Sequence, residues 1–118
     1  MKIDEAREDR IMMEVVVDAY DETERSMGWY YYLQDRLNFP FAAQWLTANG
    51  NSEKVRVVGM PIEDDCLEDM LVEVAYTEDG IEDIFTLSLR EIQPLTEDAA
   101  TLEAIADWHY WLARGYEF

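Results

Sequence analysis

Apolar residues in the first part of the chain fall at Ile11, Met12, Val15, Val16 and Ala19. That spacing predicts one helical stripe between Asp4 and Tyr20, although β-branched Val15–Val17 weaken its last turn. Asp21 followed by Glu24 has the form of a capping box, so a second helix is expected to start there. Its apolar face takes in Met27, Tyr30, Tyr31 and Leu37, with Trp29 and Leu33 on an adjoining strip. Gly28 inside this run marks a close approach to a neighbour. Pro40 disfavours helical geometry at Phe39, which places the helix end near Asn38.

The pattern then changes period. Trp45–Ser52, with its Asn49-Gly50 turn signal, reads as a loop. Val55, Val57 and Val58 begin a strand that Gly59–Pro61 break. Met70, Val72, Val74 and Tyr76 alternate with Leu71, Glu73 and Ala75, the period-two signature of a half-buried strand. Asp79-Gly80 is a tight hairpin signal, Ile84–Leu89 form the returning strand, and Ile92–Leu95 a short strand or turn. A third helix places Leu102, Ile105, Ala106, His109 and Leu112 on one face, flanked by Trp108 and Trp111, and ends at Arg114-Gly115. The expected architecture is α+β: three to five short antiparallel strands in a small SH3-like sheet or barrel, packed with two N-terminal helices and one C-terminal helix. The 118 residues read as a single domain spanning 1–118.

Composition narrows the function classes. Nine basic against 27 acidic side chains give a net charge of −18. That excludes a basic phosphate-reading face for nucleic acid and disfavours anionic lipid. Disorder is excluded as well, because 49% of residues are hydrophobic and 13% aromatic. Cys66, the one cysteine, rules out an internal disulfide. The N-terminal stretch carries both charge signs and no apolar run, so it does not read as a signal peptide. No apolar run is long enough to span a membrane, and a cytoplasmic location is the expectation.

The charge is concentrated. Between Glu63 and Asp107 stand fifteen carboxylates and one base, Arg90, whereas residues 1–38 hold ten acids and five bases. The densest stretch is Glu63-Asp64-Asp65-Cys66-Leu67-Glu68-Asp69, five carboxylates in seven residues between two predicted strands. Like charges crowded in one loop need solvent screening or a cation. The C-terminus of the second helix offers a complement: terminal carbonyls without partners, with Asp35 and Asn38 three apart on the last turn. Carboxylate, amide and carbonyl oxygens are hard ligands, and Ca2+ takes about six to eight of them in irregular geometry. A site drawing Asp35 and Asn38 from the helix end and Glu63, Asp64, Asp65 and Glu68 from the loop is the candidate metal centre. A solvated acidic loop, with Asp35 paired to a neighbouring base, is the competing account.

Other constellations fail. Asp79-Gly80-Ile81-Glu82-Asp83 lacks the spacing and closing glutamate of an EF-hand and reads as a hairpin turn. Cys66 and His109 form no supported nucleophilic pair, since acidic surroundings raise a thiol pKa. One cysteine and one histidine cannot make a typical structural zinc site, and the scattered glycines form no phosphate loop. The aromatics Trp29–Tyr32 and Trp108–Trp111 could in principle cage a methylated lysine, but their helical spacing favours core. No catalytic residues emerge, and the chain reads as a non-enzyme.

Three blocks together resemble the cyanobacterial calcium-binding protein family of CcbP type. They are Gly28-Trp29-Tyr30-Tyr31-Tyr32-Leu33-Gln34-Asp35-Arg36-Leu37-Asn38-Phe39-Pro40-Phe41, then Val57–Pro61 running into Glu63–Cys66, and Asp107–Phe118. The resemblance implies helices on an SH3-like sheet and Ca2+ binding without EF-hands, with Asp35 the leading ligand and the loop after Pro61 the second source. The expected role is an intracellular Ca2+ buffer or sensor. The alternative is an acidic interaction module that docks a basic partner or mimics nucleic-acid charge. Beyond calcium ions, no protein partner is identified.

Overall fold

A computed structural model describes residues 4–17, 19–47 and 49–115. Met1–Ile3 of the N-terminal reading, and Tyr116–Phe118 of the third block, lie outside these residues. Asp4 caps helix α1 (Glu5–Arg10) by accepting from the Arg7 amide at 3.0 Å. The helix then widens into a π-helical turn, Ile11–Val15. This corrects the single stripe expected to Tyr20. Ile11 and Val15 are buried, but the widened turn puts Met12 47% exposed, and helical geometry is lost at Val16 in the β-branched run.

Helix α2 (Glu22–Arg36) starts where the capping pattern placed it. The Asp21 carboxylate accepts from the Glu24 amide at 2.8 Å, while the Glu24 carboxylate reaches back to the Tyr20 amide at 3.0 Å. It ends at Arg36, two residues earlier than expected, because Leu37 is already extended. Tyr32 is buried and Tyr31 is 53% exposed, the reverse of the predicted face. Gly28 performs the expected close approach: a Cβ there would lie 2.2 Å from the Val15 carbonyl oxygen.

Among the described residues the sheet has five antiparallel strands in the order β4-β3-β2-β1-β5. Strand β1 (Phe41–Leu46) was hidden from pattern reading, since Phe41-Ala42-Ala43-Gln44 offers small residues and no marked alternation. The expected loop from Trp45 therefore begins only after Leu46. Strand β2 (Ser52–Gly59) follows, with Gly50 of the turn at φ +85°. Strands β3 (Leu71–Glu78) and β4 (Ile81–Ser88) are joined by Asp79 and Gly80, both at positive φ, the geometry of a two-residue hairpin. Strand β5 (Ile92–Pro94) pairs with β1 and leads to helix α3 (Ala99–Ala113), capped by Asp98.

Register places Phe41, Val57 and Val74 side by side, with Ala43 beside Val55 and Val72 beside Leu87, so one face of the sheet is apolar. This face and the helices form one core with Trp29, Leu33, Ile105, Trp108 and Trp111. The Trp29 ring meets those of Trp108 and Trp111 at 5.0 and 5.6 Å, so the aromatic runs considered as a cage are core apart from the exposed Tyr31. The buried positions of α3 are Thr101, Ala104, Ile105, Asp107, Trp108, Tyr110 and Trp111; Leu102, expected inside, is 38% exposed. The bulk of the two indoles, not Leu102, decides which stripe turns inward.

Asp107 is fully buried. It accepts from Arg7 Nη1 at 2.5 Å, Arg10 Nη2 at 2.7 Å, Arg10 Nε at 3.1 Å and Tyr32 Oη at 2.6 Å, tying α1 and α2 to α3. Burial, then the hydrogen bond to this carboxylate, push the Tyr32 pKa from 10.0 to about 12. Folded protein thus holds the phenol proton more tightly than the unfolded chain. The resulting stabilisation is complete below pH 10.0 and is lost as pH rises through about 12. In an alkaline titration, one tyrosine should yield its phenolate absorbance late, together with the loss of far-ultraviolet circular dichroism. Replacement by phenylalanine should remove that late step.

Candidate metal centre

After β2 the chain passes Pro61 into a short 3₁₀ turn, Glu63–Cys66. Cys66 is fully buried beneath it, with Sγ 3.9 Å from the Leu71 carbonyl, and burial pushes its thiol pKa up. With the cysteine pinned inward, Asp64, Asp65 and Glu68 are exposed and Glu63 is half-buried. Two consecutive tyrosines of α2 fasten this segment. Tyr30 donates to the Pro61 carbonyl at 2.6 Å, and Tyr31 donates to a carboxylate oxygen of Glu63. The Glu63 hydrogen bond holds the Tyr31 proton in place and raises its pKa.

Asp35 stands four residues after Tyr31, hence on the same face of α2 one turn on. Its side chain is 83% exposed, with Arg36 Nε 3.8 Å away. Arg36 also reaches Glu14 at 3.4 Å and lies 4.9 Å from the Tyr32 ring centre. Glu14, Val15, Gly28, Tyr31 and Asp35 line one open cleft between the π turn and α2. The acidic turn and Asp35 are therefore both referred to one helix face, through Tyr31.

Two other residues are engaged elsewhere. Asp69 accepts from Ser88 Oγ at 2.8 Å and from Arg90 at 3.3 Å, which sets it apart from the other four carboxylates of the stretch. Asn38 does not share the last helical turn with Asp35, because Leu37 is extended. Its amide N–H donates to Thr101 Oγ1 at 3.0 Å and its side-chain NH₂ to Asp98 at 2.8 Å, turning it to the start of α3. The Thr101 amide, then the Thr101 and Asn38 side chains, hold the Asp98 pKa below the ordinary carboxylate value.

The donor chemistry fits a hard divalent cation: every candidate offers oxygen, and among the described residues no base lies in ion-pair range of Glu63, Asp64, Asp65 or Glu68. Among those same residues, no three carboxylate, histidine or cysteine side chains are already gathered as a metal cage. The Calcium binding family model of CcbP type matches residues 9–112. The chain belongs to that family. The crystal structure of Anabaena CcbP is 50% identical over 100% of this chain and 98% of that one, with a TM-score of 0.88. A calcium binding protein in the calcium-binding form is 49% identical over 98% of this chain and 95% of its own, with a TM-score of 0.89. No curated protein matches the chain in sequence.

Sequence reasoning missed the fastening role of Tyr30 and Tyr31. A signal was available: three successive tyrosines on a helix sweep about 200° of its surface, so they cannot all enter one core face. No helix among the described residues is long and apolar enough to cross a membrane.

Proposed function

We propose that this chain binds Ca2+ with oxygens drawn from the C-terminal turn of α2 and from the acidic turn after Pro61, and that it works as a calcium sensor in cytoplasmic calcium homeostasis. The observation that carries the reading is its likeness, at 49% identity and a TM-score of 0.89, to a calcium binding protein in the calcium-binding form. Asp35 supplies the charge at the helix end, where the last carbonyls and the helix dipole already favour a cation. Glu63, Asp64, Asp65 and Glu68 supply the rest, and Asn38 fixes the path by which the chain leaves α2.

The sensor assignment rests on present partners. Glu63 is held by Tyr31, and Asp35 faces Arg36. An ion that takes these carboxylates displaces a phenol and a guanidinium, so binding is coupled to movement of the turn against the helix. Simple buffering needs no such exchange.

Calorimetry with Ca2+ and Mg2+ tests the assignment. Wild-type protein should give calcium heat and a rise in melting temperature by mass action. Asp35→Asn should weaken calcium binding by about tenfold or more, as expected when a charged ligand is lost. An unchanged isotherm for Asp35→Asn would move the site away from the helix end. Absence of calcium heat and of thermal stabilisation would overturn the function itself.

A further inference from the structure

The sheet curls so far that Trp45 of β1 and Phe85 of β4 touch, although β2 and β3 lie between them in the hydrogen-bonded order. Their ring centres are 5.5 Å apart and edge-on, and the Tyr76 ring of β3 lies 6.4 Å from that of Phe85. All three rings are half-buried, so each presents part of its surface to solvent.

Carboxylates rim this aromatic ridge. Trp45 Nε1 donates to Glu91 at 3.2 Å, and the Tyr76 hydroxyl donates to Glu53 at 3.3 Å. Register sets Glu53 directly across from Trp45, and Asp83 directly across from Tyr76. The bases of β2 fall on the opposite face: Lys54 and Arg56 alternate with Glu53, Val55 and Val57, and Arg56 is paired with Glu82 at 3.7 Å. The ridge thus joins aromatic rings to uncompensated negative charge, the combination that attracts a planar cation.

We infer that the Trp45–Phe85–Tyr76 ridge docks an arginine side chain of a basic polypeptide segment, its guanidinium against the rings and its N–H groups toward Glu53, Asp83 and Glu91. The adjoining strand explains why the occupant is polypeptide and not a small free cation. β4 is an edge of the sheet, and Ile81 and Ile84 on it are 65% and 61% exposed. An extended segment can pair along that edge while delivering an arginine to Phe85. This surface lies on the sheet, apart from the α2 face assigned to calcium.

The test uses full-length protein in saturating Ca2+, with a short extended peptide of alternating valine and arginine, and the same peptide with citrulline in place of arginine. Saturating calcium occupies the proposed metal centre, so failure here leaves that reading untouched. The arginine peptide should shift the Trp45 indole N–H and the Phe85 and Tyr76 ring resonances selectively. The uncharged citrulline peptide should bind at least about tenfold more weakly. Glu53→Gln with Glu91→Gln, both near-isosteric, should weaken the arginine peptide by a similar factor while leaving the calcium isotherm unchanged. Diffuse shifts around residues 63–69 with a stationary Trp45 indole would overturn the proposal, as would equal binding of the two peptides or of the double variant.

Discussion

Replacing Asp107 by alanine is expected to lower the unfolding free energy by about 3–5 kcal/mol, because it removes one partner of a buried ionic cluster and leaves the others. Arg7 and Arg10 would face a cavity where their shared buried partner stood, keeping only the more exposed Asp4 and Glu103, each at 3.5 Å, and the buried Tyr32 hydroxyl would lose its acceptor. For a domain of this size that corresponds to a fall in melting temperature of roughly 10–20 °C. Asp107→Asn keeps the shape and one acceptor oxygen, so it should lose less than alanine. Replacing Arg7, Arg10 and Asp107 together by methionine and leucine should recover part of the loss, since no stranded charge remains. Urea unfolding checks all three. An alanine variant within about 1 kcal/mol of wild type would mean that the cluster is hydrated and not a structural clasp.

Gly28→Ala is the second large effect. Alanine normally stabilises an internal helical position over glycine by about 1 kcal/mol. Here its Cβ would lie 2.2 Å from the Val15 oxygen and 3.3 Å from the Val15 carbonyl carbon, both backbone atoms that no rotamer change can move. Overpacking costs about 1–3 kcal/mol and occasionally more, and a backbone clash falls at the upper end. The expected net loss is about 2 kcal/mol, after the propensity gain is subtracted. The π turn must back away from α2, widening the cleft that holds Glu14 and Asp35. A urea midpoint lowered at unchanged slope would report the stability loss with the fold retained. A variant at least as stable as wild type would show that the turn yields without cost.

Local signals carried much of this fold. Asp21 and Glu24 form a cap from residues three apart, and Asp79-Gly80 form a turn from two, so neither needs information from elsewhere in the chain. Alternation at Met70, Val72 and Val74 was equally readable, because a less buried neighbour stands between each pair. Readings failed where a distant partner decides. Tyr31 and Tyr32 differ by about 100° on the helix, and the buried partner of the Tyr32 hydroxyl is Asp107, 75 residues away. β1 exists because β2 and β5 flank it, which its own residues do not announce. For the site, charge density drew attention to Glu63–Glu68 and helix-end chemistry to Asp35. The contacts that refer them to one helix face come from tyrosines that pattern reading assigned to the core. Charge counting also took in Asp107 as one of fifteen carboxylates without setting it apart, since composition does not distinguish an exposed carboxylate from one clasped by two arginines.

The clasp has a topological side. Arg7 and Arg10 meet Asp107 across about a hundred residues, Arg114 meets Glu8 at 2.9 Å, and the Asp4 amide donates to the Tyr110 hydroxyl at 3.1 Å. These contacts lie between the first and last helices and turn the chain between them into a ring. Ring closure of this length is a large entropic demand on an unfolded chain, but it grows only logarithmically with contour length. Once the sheet has formed, most of that contour has been taken up and α1 has little distance left to search. Docking of α1 is therefore suited to come last in folding, onto a seat that α3 makes with α2.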